Sequence, residues 1–341
     1  MTTRSLLIIN YQSASLAAEA IRTARASSSQ PLQAVVVDNS VDPAEAEALR
    51  LAADIVIAAP RNLGYAGGIN AGRRACDGDT IIVSNPDVCF GRDAVDKLVD
   101  VDASVAGPAL FWDDGQAWML PPAELHTPGE VASRTFASRS HAWAQVRDRR
   151  RFLARVAFWS LTHPTRVRAL SGAVLAIRAS ALDGAGGFDE RFTLYFEEND
   201  FLRRVRGGIV YVPEARCRHL YNQSAGGSAQ AAALYEESEL RYLRKWGGAF
   251  ARRFEKGRPE AGLPSTRIGS PQSGARSDGI VIEASPLATF ETAAGCFTND
   301  RRAGVPDDVW RAYRGEALYF RAVERATGRI LDSWAKARIP V

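Results

Sequence analysis

The residues best suited to chemistry lie between Gly186 and His219, in GGFDERFTLYFEENDFLRRVRGGIVYVPEARCRH. Asp189 and Glu190 come first, and Tyr195 and Phe196 lead into Glu197, Glu198 and Asp200. Aromatic residues beside carboxylates mark acids that face a cleft. Apolar Phe201, Leu202 and Val205 are interleaved with Arg203, Arg204 and Arg206, and Gly207-Gly208 closes the helical pattern. The acids therefore sit at a helix N-terminus. The dipole there holds carboxylates ionised, which suits a general base. Capping alone also places acids at helix starts, and this stretch by itself leaves both readings open.

The elements that must position these acids follow from the order of apolar runs. Residues 5–10, 34–37, 54–59 and 80–83 read as short buried strands. Between them, Leu16, Ala20, Ile21 and Ala24 give one helical face, and Asp42-Pro43-Ala44-Glu45 opens a second helix. Strands alternating with helices predict an α/β fold: a mostly parallel sheet with helices on its faces. Ligands bind at the carboxyl ends of such strands. The residues there are Asn10 and Tyr11, Asp38 to Ser40, Arg61 and Asn62, and Asn85 to Asp87. They are nearly all polar, as a nucleotide site requires. The segment NLGYAGGINAG, with Asn62, Gly64 and Asn70, can bring backbone close to a phosphate. Its glycines serve turns equally well. A dinucleotide fingerprint needs such glycines after the first strand, whereas these follow the third.

The order of motifs resembles family 2 glycosyltransferases, the inverting sugar transferases of GT-A fold, and within them a bacterial rhamnosyltransferase-like branch. The resemblance covers about residues 4–248. It is carried by LSGAVLAIRAS starting at Leu170, GGFDE, the acidic EEND, GIVYVPEA and the late His219. It implies donor-binding roles for Asn10, Asp38, Asn62, Gly64, Asn70, Asn85, Asp87 and Gly172. Asp38 matches the position that meets the pyrimidine base. Asn85-Pro86-Asp87 matches the metal-binding motif, with Asp87 and His219 on Mg2+ or Mn2+. Glu198 matches the catalytic base, with Glu197 and Asp200 orienting base and acceptor. Here Glu stands where the family commonly has Asp, and Asn85 offers a neutral amide to the metal. The implied donor is a dTDP- or UDP-sugar, and the implied acceptor a glycan or polyprenyl-diphosphate-linked sugar in cell-surface polysaccharide synthesis. Two alternatives stand beside this reading. One is a degenerate, non-catalytic protein that binds nucleotide sugar or glycan. The other is a nucleotidyltransferase, against which Tyr11-Gln12-Ser13-Ala14 after the first strand argues.

Composition sets the frame. The 341 residues are enough for one large domain and an appendage, and the net charge is only +4, so any basic surface is local and no nucleic-acid partner is expected. Cys76, Cys89, Cys217 and Cys296 are far apart and form neither a zinc nor a disulfide pattern. They read as reduced cytosolic thiols. No apolar run approaches the ~20 residues of a membrane span. The expected location is cytoplasmic, at the inner face of the membrane.

The expected organisation is a glycosyltransferase domain over 1–256, a Gly/Pro/Ser-rich linker over 257–279 and a small mostly-β unit over 280–341. Residues 121–168 form an insertion before the strand after Leu170. Within it Phe152, Leu153, Val156 and Trp159 share a helical face edged by Arg147, Arg151 and Arg155. An aromatic face bordered by arginine predicts peripheral membrane contact through 143–160, or a hold on a diphosphate-linked lipid. Packing on the domain with a solvated basic edge is the other reading.

Overall fold

The computed structural model describes residues 3–220, 229–247 and 279–337. All but the last residue of the expected linker lies outside them. In chain order the first half runs β1 (Arg4–Asn10), α1 (Ala14–Ala26), β2 (Gln33–Asp38), α2 (Pro43–Arg50), β3 (Ile55–Ala58), α3 (Gly64–Arg73), β4 (Thr80–Ser84), β5 (Val88–Phe90), α4 (Ala94–Asp100) and β6 (Val105–Phe111). A helical pair follows, α5 (Pro128–Ala137) and α6 (His141–Trp159), then β7 (Thr165–Arg166), β8 (Val174–Arg178), α7 (Ala179–Gly184), α8 (Glu197–Arg204), β9 (Ile209–His219) and α9 (Ala229–Trp246). The C-terminal unit is β10 (Ile280–Ser285), β11 (Ala294–Thr298), α10 (Asp307–Ala312), β12 (Ala317–Glu324) and β13 (Ile330–Ala337).

The large sheet has the order β3-β2-β1-β4-β8-β6-β9-β5, with β7 beside β9. Strands β1, β2, β3 and β4 are mutually parallel, β8 enters antiparallel between β4 and β6, and β9 runs parallel to β6. The sheet is thus mostly parallel, as expected. Both faces of β1 are buried because successive side chains alternate sides. Leu6 and Ile8 pack with Ala17 and Ile21 of α1, while Leu7 and Ile9 pack with Ala66 and Ile69 of α3. This two-sided burial explains the uninterrupted apolar run. It also leaves the strand ends as the natural outlet for polar residues.

The C-terminal unit is a second, wholly antiparallel sheet of order β11-β10-β12-β13. Its β12–β13 hairpin turns at Thr327-Gly328, with Gly328 at φ 72°. Trp112, Trp118 and Leu120 do not extend the first sheet. They complete the core of the second, with Ile280, Ile282, Leu318 and Phe320. Met119 and Gly295 exchange two backbone hydrogen bonds of 2.8 Å, so the two regions are stitched together.

The membrane expectation for 143–160 is corrected here. Phe152, Val156 and Trp159 of α6 are buried against Val281 and Val323 of the second sheet. The arginine stripe is paired as well: Arg147 with Glu130 and Glu291, Arg151 with Glu124 and Glu291, and Arg155 with Glu283. Helical periodicity identified the sticky face, but the partner that covers it lies more than a hundred residues further along the chain.

Candidate active site

The acids sit on a bend. Tyr195 (φ 69°) and Phe196 (φ 66°) both adopt the left-handed backbone region immediately before α8. Such conformations cost of order 1–3 kcal/mol each and persist only where the surroundings fix them. Phe192, Phe196 and Tyr242 form that support, with Tyr235 centred 5.2 Å from Phe196. Ser238 of α9 donates to the Leu194 carbonyl at 2.7 Å. The long helix α9 therefore packs across the acidic loop.

Glu197 and Glu198 occupy the first turn of α8. Glu197 is 5 % exposed, and its Oε2 has no hydrogen-bond partner among the described residues. Glu198 accepts from Asn199 Nδ2 at 3.0 Å. Burial pushes the Glu197 carboxyl well above the usual carboxylate range, and the charge of Glu198 pushes it further. Burial also raises Glu198, against the pull of backbone donors and of His126. At both acids desolvation works against the helix dipole. A raised pKa makes Glu198 a stronger base than an ordinary carboxylate, closer to the optimum for proton transfer near neutrality.

Glycines bring the walls in. A Cβ on Gly172 would lie 3.3 Å from Glu198 Cγ, so this residue gives Glu198 its place. Gly64 adopts φ 71°, and a Cβ there would lie 2.8 Å from the Thr193 carbonyl oxygen. Its glycine is required by contact with the acidic loop. Tyr65, next along α3, donates from its hydroxyl to the Gly172 carbonyl at 3.0 Å. Burial raises the Tyr65 phenol, and the charges of Glu197, Glu198 and Asp87 raise it further. One phenol thus feels all three acids, which come from segments more than a hundred residues apart.

Asp87 is 6 % exposed, and its Oδ1 lies 3.3 Å from His219 Nε2 across the β5–β9 pairing. Burial would raise the Asp87 carboxyl, but His219 overrides it and holds the group below its ordinary value. An oxygen anion and an imidazole side by side are a donor set that Mn2+ accepts readily and Mg2+ less so. No group of three or more His, Cys, Asp or Glu that could hold a metal occurs among the described residues. The protein would supply two ligands, leaving the rest of the shell to water and diphosphate. The residues present fit such an ion. Asn85 stands two residues before Asp87 with its side chain half-buried.

At the ends of β1 and β2, Asp38 is buried, and its Oδ1 accepts from Asn10 Nδ2 at 3.0 Å and from the Ser40 amide at 3.0 Å. The second bond is an Asx turn. Asn10 is fully buried and also donates to Glu45 Oε2 at 3.0 Å. It anchors Asp38 and the start of α2. Asn62 is exposed and caps the Gly64 amide at 2.8 Å.

Two further expected site residues make contacts that tie elements together. Asp200 was expected to orient base and acceptor. It is fully buried, and its carboxylate takes Arg204 Nε at 2.9 Å, Trp246 Nε1 at 2.9 Å and Lys245 Nζ at 2.6 Å. It rivets α8 to α9. Asn70 was expected at the donor. It donates to the Phe188 carbonyl and receives the Phe188 amide, both at 2.9 Å, and so staples α3 to the GGFDE turn. The structure also adds residues the sequence did not single out. Tyr65 is one. His126, whose ring lies edge-on to Phe196 at 4.7 Å and whose charge reaches Glu198, is another. Neither carries a local signal, since each matters through a contact distant in sequence.

The fold and site define an α/β protein with two adjacent acids at a helix start, Glu197 buried and Glu198 partly exposed, and a buried Asp87–His219 pair near the polar ends of its sheet. Residues 5–104 match the model of Glycosyl transferase family 2. It is 30% identical over 209 residues to a Mycobacterium tuberculosis N-acetylglucosaminyl-diphospho-decaprenol L-rhamnosyltransferase, covering 53% of this chain. It spans 64% of that relative's length. Among solved structures, S. aureus TarS in complex with UDP superposes with a TM-score of 0.44 at 13% identity, over 71% of this chain and 72% of that one. The mannosyltransferase PcManGT from Pyrobaculum calidifontis, in complex with GDP-Man and Mn2+, gives 0.42 at 14% identity over 74% of each chain. No helix among the described residues is long and apolar enough to cross a membrane.

Proposed function

We propose that this chain is an inverting, divalent-metal-dependent glycosyltransferase. In this reading it moves rhamnose from dTDP-rhamnose to an N-acetylglucosaminyl-diphospho-lipid at the cytoplasmic face of the membrane. The observation that carries the proposal is the seat of Glu198: it lies against Gly172, whose carbonyl takes the hydroxyl of Tyr65, a phenol that feels the charges of Glu197, Glu198 and Asp87. The rhamnose and lipid components rest on the motif resemblance and on the M. tuberculosis relative.

In this mechanism Asp38 takes the base of the donor, held by Asn10 and the Ser40 turn. Asp87 and His219 would hold Mg2+ or Mn2+, which would supply Lewis-acid compensation for charge on the leaving diphosphate. Glu198 accepts the proton of the attacking acceptor hydroxyl. Burial keeps Glu198 more basic than an ordinary carboxylate, and Glu197 lies beside it in the first turn of α8. Tyr65 and Gly172 fix the wall against which Glu198 lies. Attack by the acceptor oxygen on the anomeric carbon in one displacement inverts the configuration.

Calorimetric titration with dTDP, UDP and GDP, each with and without Mn2+, tests the donor half. The expected outcome is binding of a pyrimidine diphosphate that depends on Mn2+ and is lost in Asp87→Asn. If none of the three binds under either condition, the donor site is wrong.

A further inference from the structure

A cavity of about 190 Å3 opens beside the acids. Its inner wall is His126 and Tyr235, the two rings that pack on Phe196 at 4.7 and 5.2 Å. Its outer wall combines α5, α6 and the C-terminal unit, which contributes Glu291 and Thr292. The cavity is smaller than the 300–1,000 Å3 of clefts that take drug-sized ligands, so it suits a single ring.

The charges in the lining are already matched. Arg134 is paired with Glu239 at 2.6 Å, Arg147 with Glu291 at 3.1 Å and Arg151 with Glu124 at 3.0 Å. A phosphate would have to compete with these carboxylates for every guanidinium. A neutral polyol would not: its hydroxyls can donate to a carboxylate and accept from an adjacent guanidinium together. Two lining residues carry a buried donor, Arg147 Nε and Thr292 Oγ1, neither with a hydrogen-bond partner among the described residues. Pro121, Val131 and Tyr235 supply apolar surface for the C–H face of a sugar ring.

We infer that this cavity is a neutral-saccharide subsite for the acceptor and that the C-terminal unit, through Glu291 and Thr292, is part of substrate recognition. The inference rests on the glycosyltransferase reading above. It gives residues 280–337 a task, and it gives the arginine stripe of α6 a role in framing a sugar site in place of a membrane contact.

The test uses the full chain and saturation-transfer NMR with the methyl glycosides of N-acetylglucosamine, glucose, galactose and rhamnose. Wild type is compared with Thr292→Tyr, which fills the cavity, and with Glu130→Ala, which removes a half-exposed rim carboxylate and spares the fold. At least one glycoside should bind wild type and weaken about tenfold or more in both variants, the effect of losing one charge-assisted hydrogen bond. Nucleoside diphosphate binding should be equal in all three proteins. The inference is overturned if no glycoside binds wild type, if the variants bind it unchanged, or if inorganic pyrophosphate displaces it. Loss of nucleoside diphosphate binding in wild type would instead strike the glycosyltransferase reading.

Discussion

Two sets of charged residues in this protein are equally deep and differently satisfied. Glu283 is fully buried between Arg155 and Arg321, receiving 2.8 and 2.6 Å hydrogen bonds, and Arg321 reaches on to Asp148 at 2.6 Å. Glu197 is almost as deep, yet one of its oxygens has no partner and its neighbour Glu198 repels it. The first set joins α6 to the second sheet. The second is left uncompensated at the end of a strained bend. Burial alone says little about role; whether the charge is answered separates architecture from chemistry. The same contrast holds within α8, where Asp200 is answered three times over, two positions from Glu198.

The comparison can be broken from either side. Glu283→Ala should have the largest effect on stability, because it leaves two guanidinium groups buried without their shared carboxylate. Breaking such a pair costs about 3–5 kcal/mol, read as a fall in the denaturant midpoint at unchanged slope. A loss under 1 kcal/mol would mean that the network is not holding the two regions together.

Glu197→Gln should act in the opposite direction. In the fold Glu197 lies above the ordinary carboxylate value, so its neutral form is the favoured one. That stabilisation is complete below the unfolded carboxylate pKa and is lost as pH rises through the raised folded value. The glutamine variant keeps the neutral state at every pH. It should match wild type in acid and exceed it by about 1–3 kcal/mol in alkaline, ligand-free buffer. Thermal melts from pH 4 to 9 read this, and a variant less stable than wild type at high pH would show that the charge has a partner. Tyr65→Phe is the mildest change. It deletes one neutral hydrogen bond to Gly172, worth about 0.5–1.5 kcal/mol, and should lower turnover more than donor affinity because Gly172 shapes the seat of Glu198.

Much of the large sheet was legible because apolar runs and strand-end polarity are local properties. The acidic stretch was legible for the same reason. What was not legible shares a cause. The contacts of Asp200 could not be read locally because Lys245 and Trp246, which answer it, lie more than forty residues on. Those of Asn70 could not because its partner, the Phe188 backbone, belongs to another segment. The apolar face of α6 looked like a membrane surface because its cover, Val281 and Val323, lies beyond the linker. The sequence shows which groups need partners, and only the fold shows which ones found them.

Glu198→Gln tests the central claim most directly. The amide keeps the size of the side chain and removes its basicity. General-base catalysis is typically worth roughly 10^2 to 10^4 in rate, so turnover should fall by about that much while Mn2+-dependent nucleoside diphosphate binding stays at the wild-type level. Near-normal turnover in this variant would contradict the account, and Glu198 would not be the base.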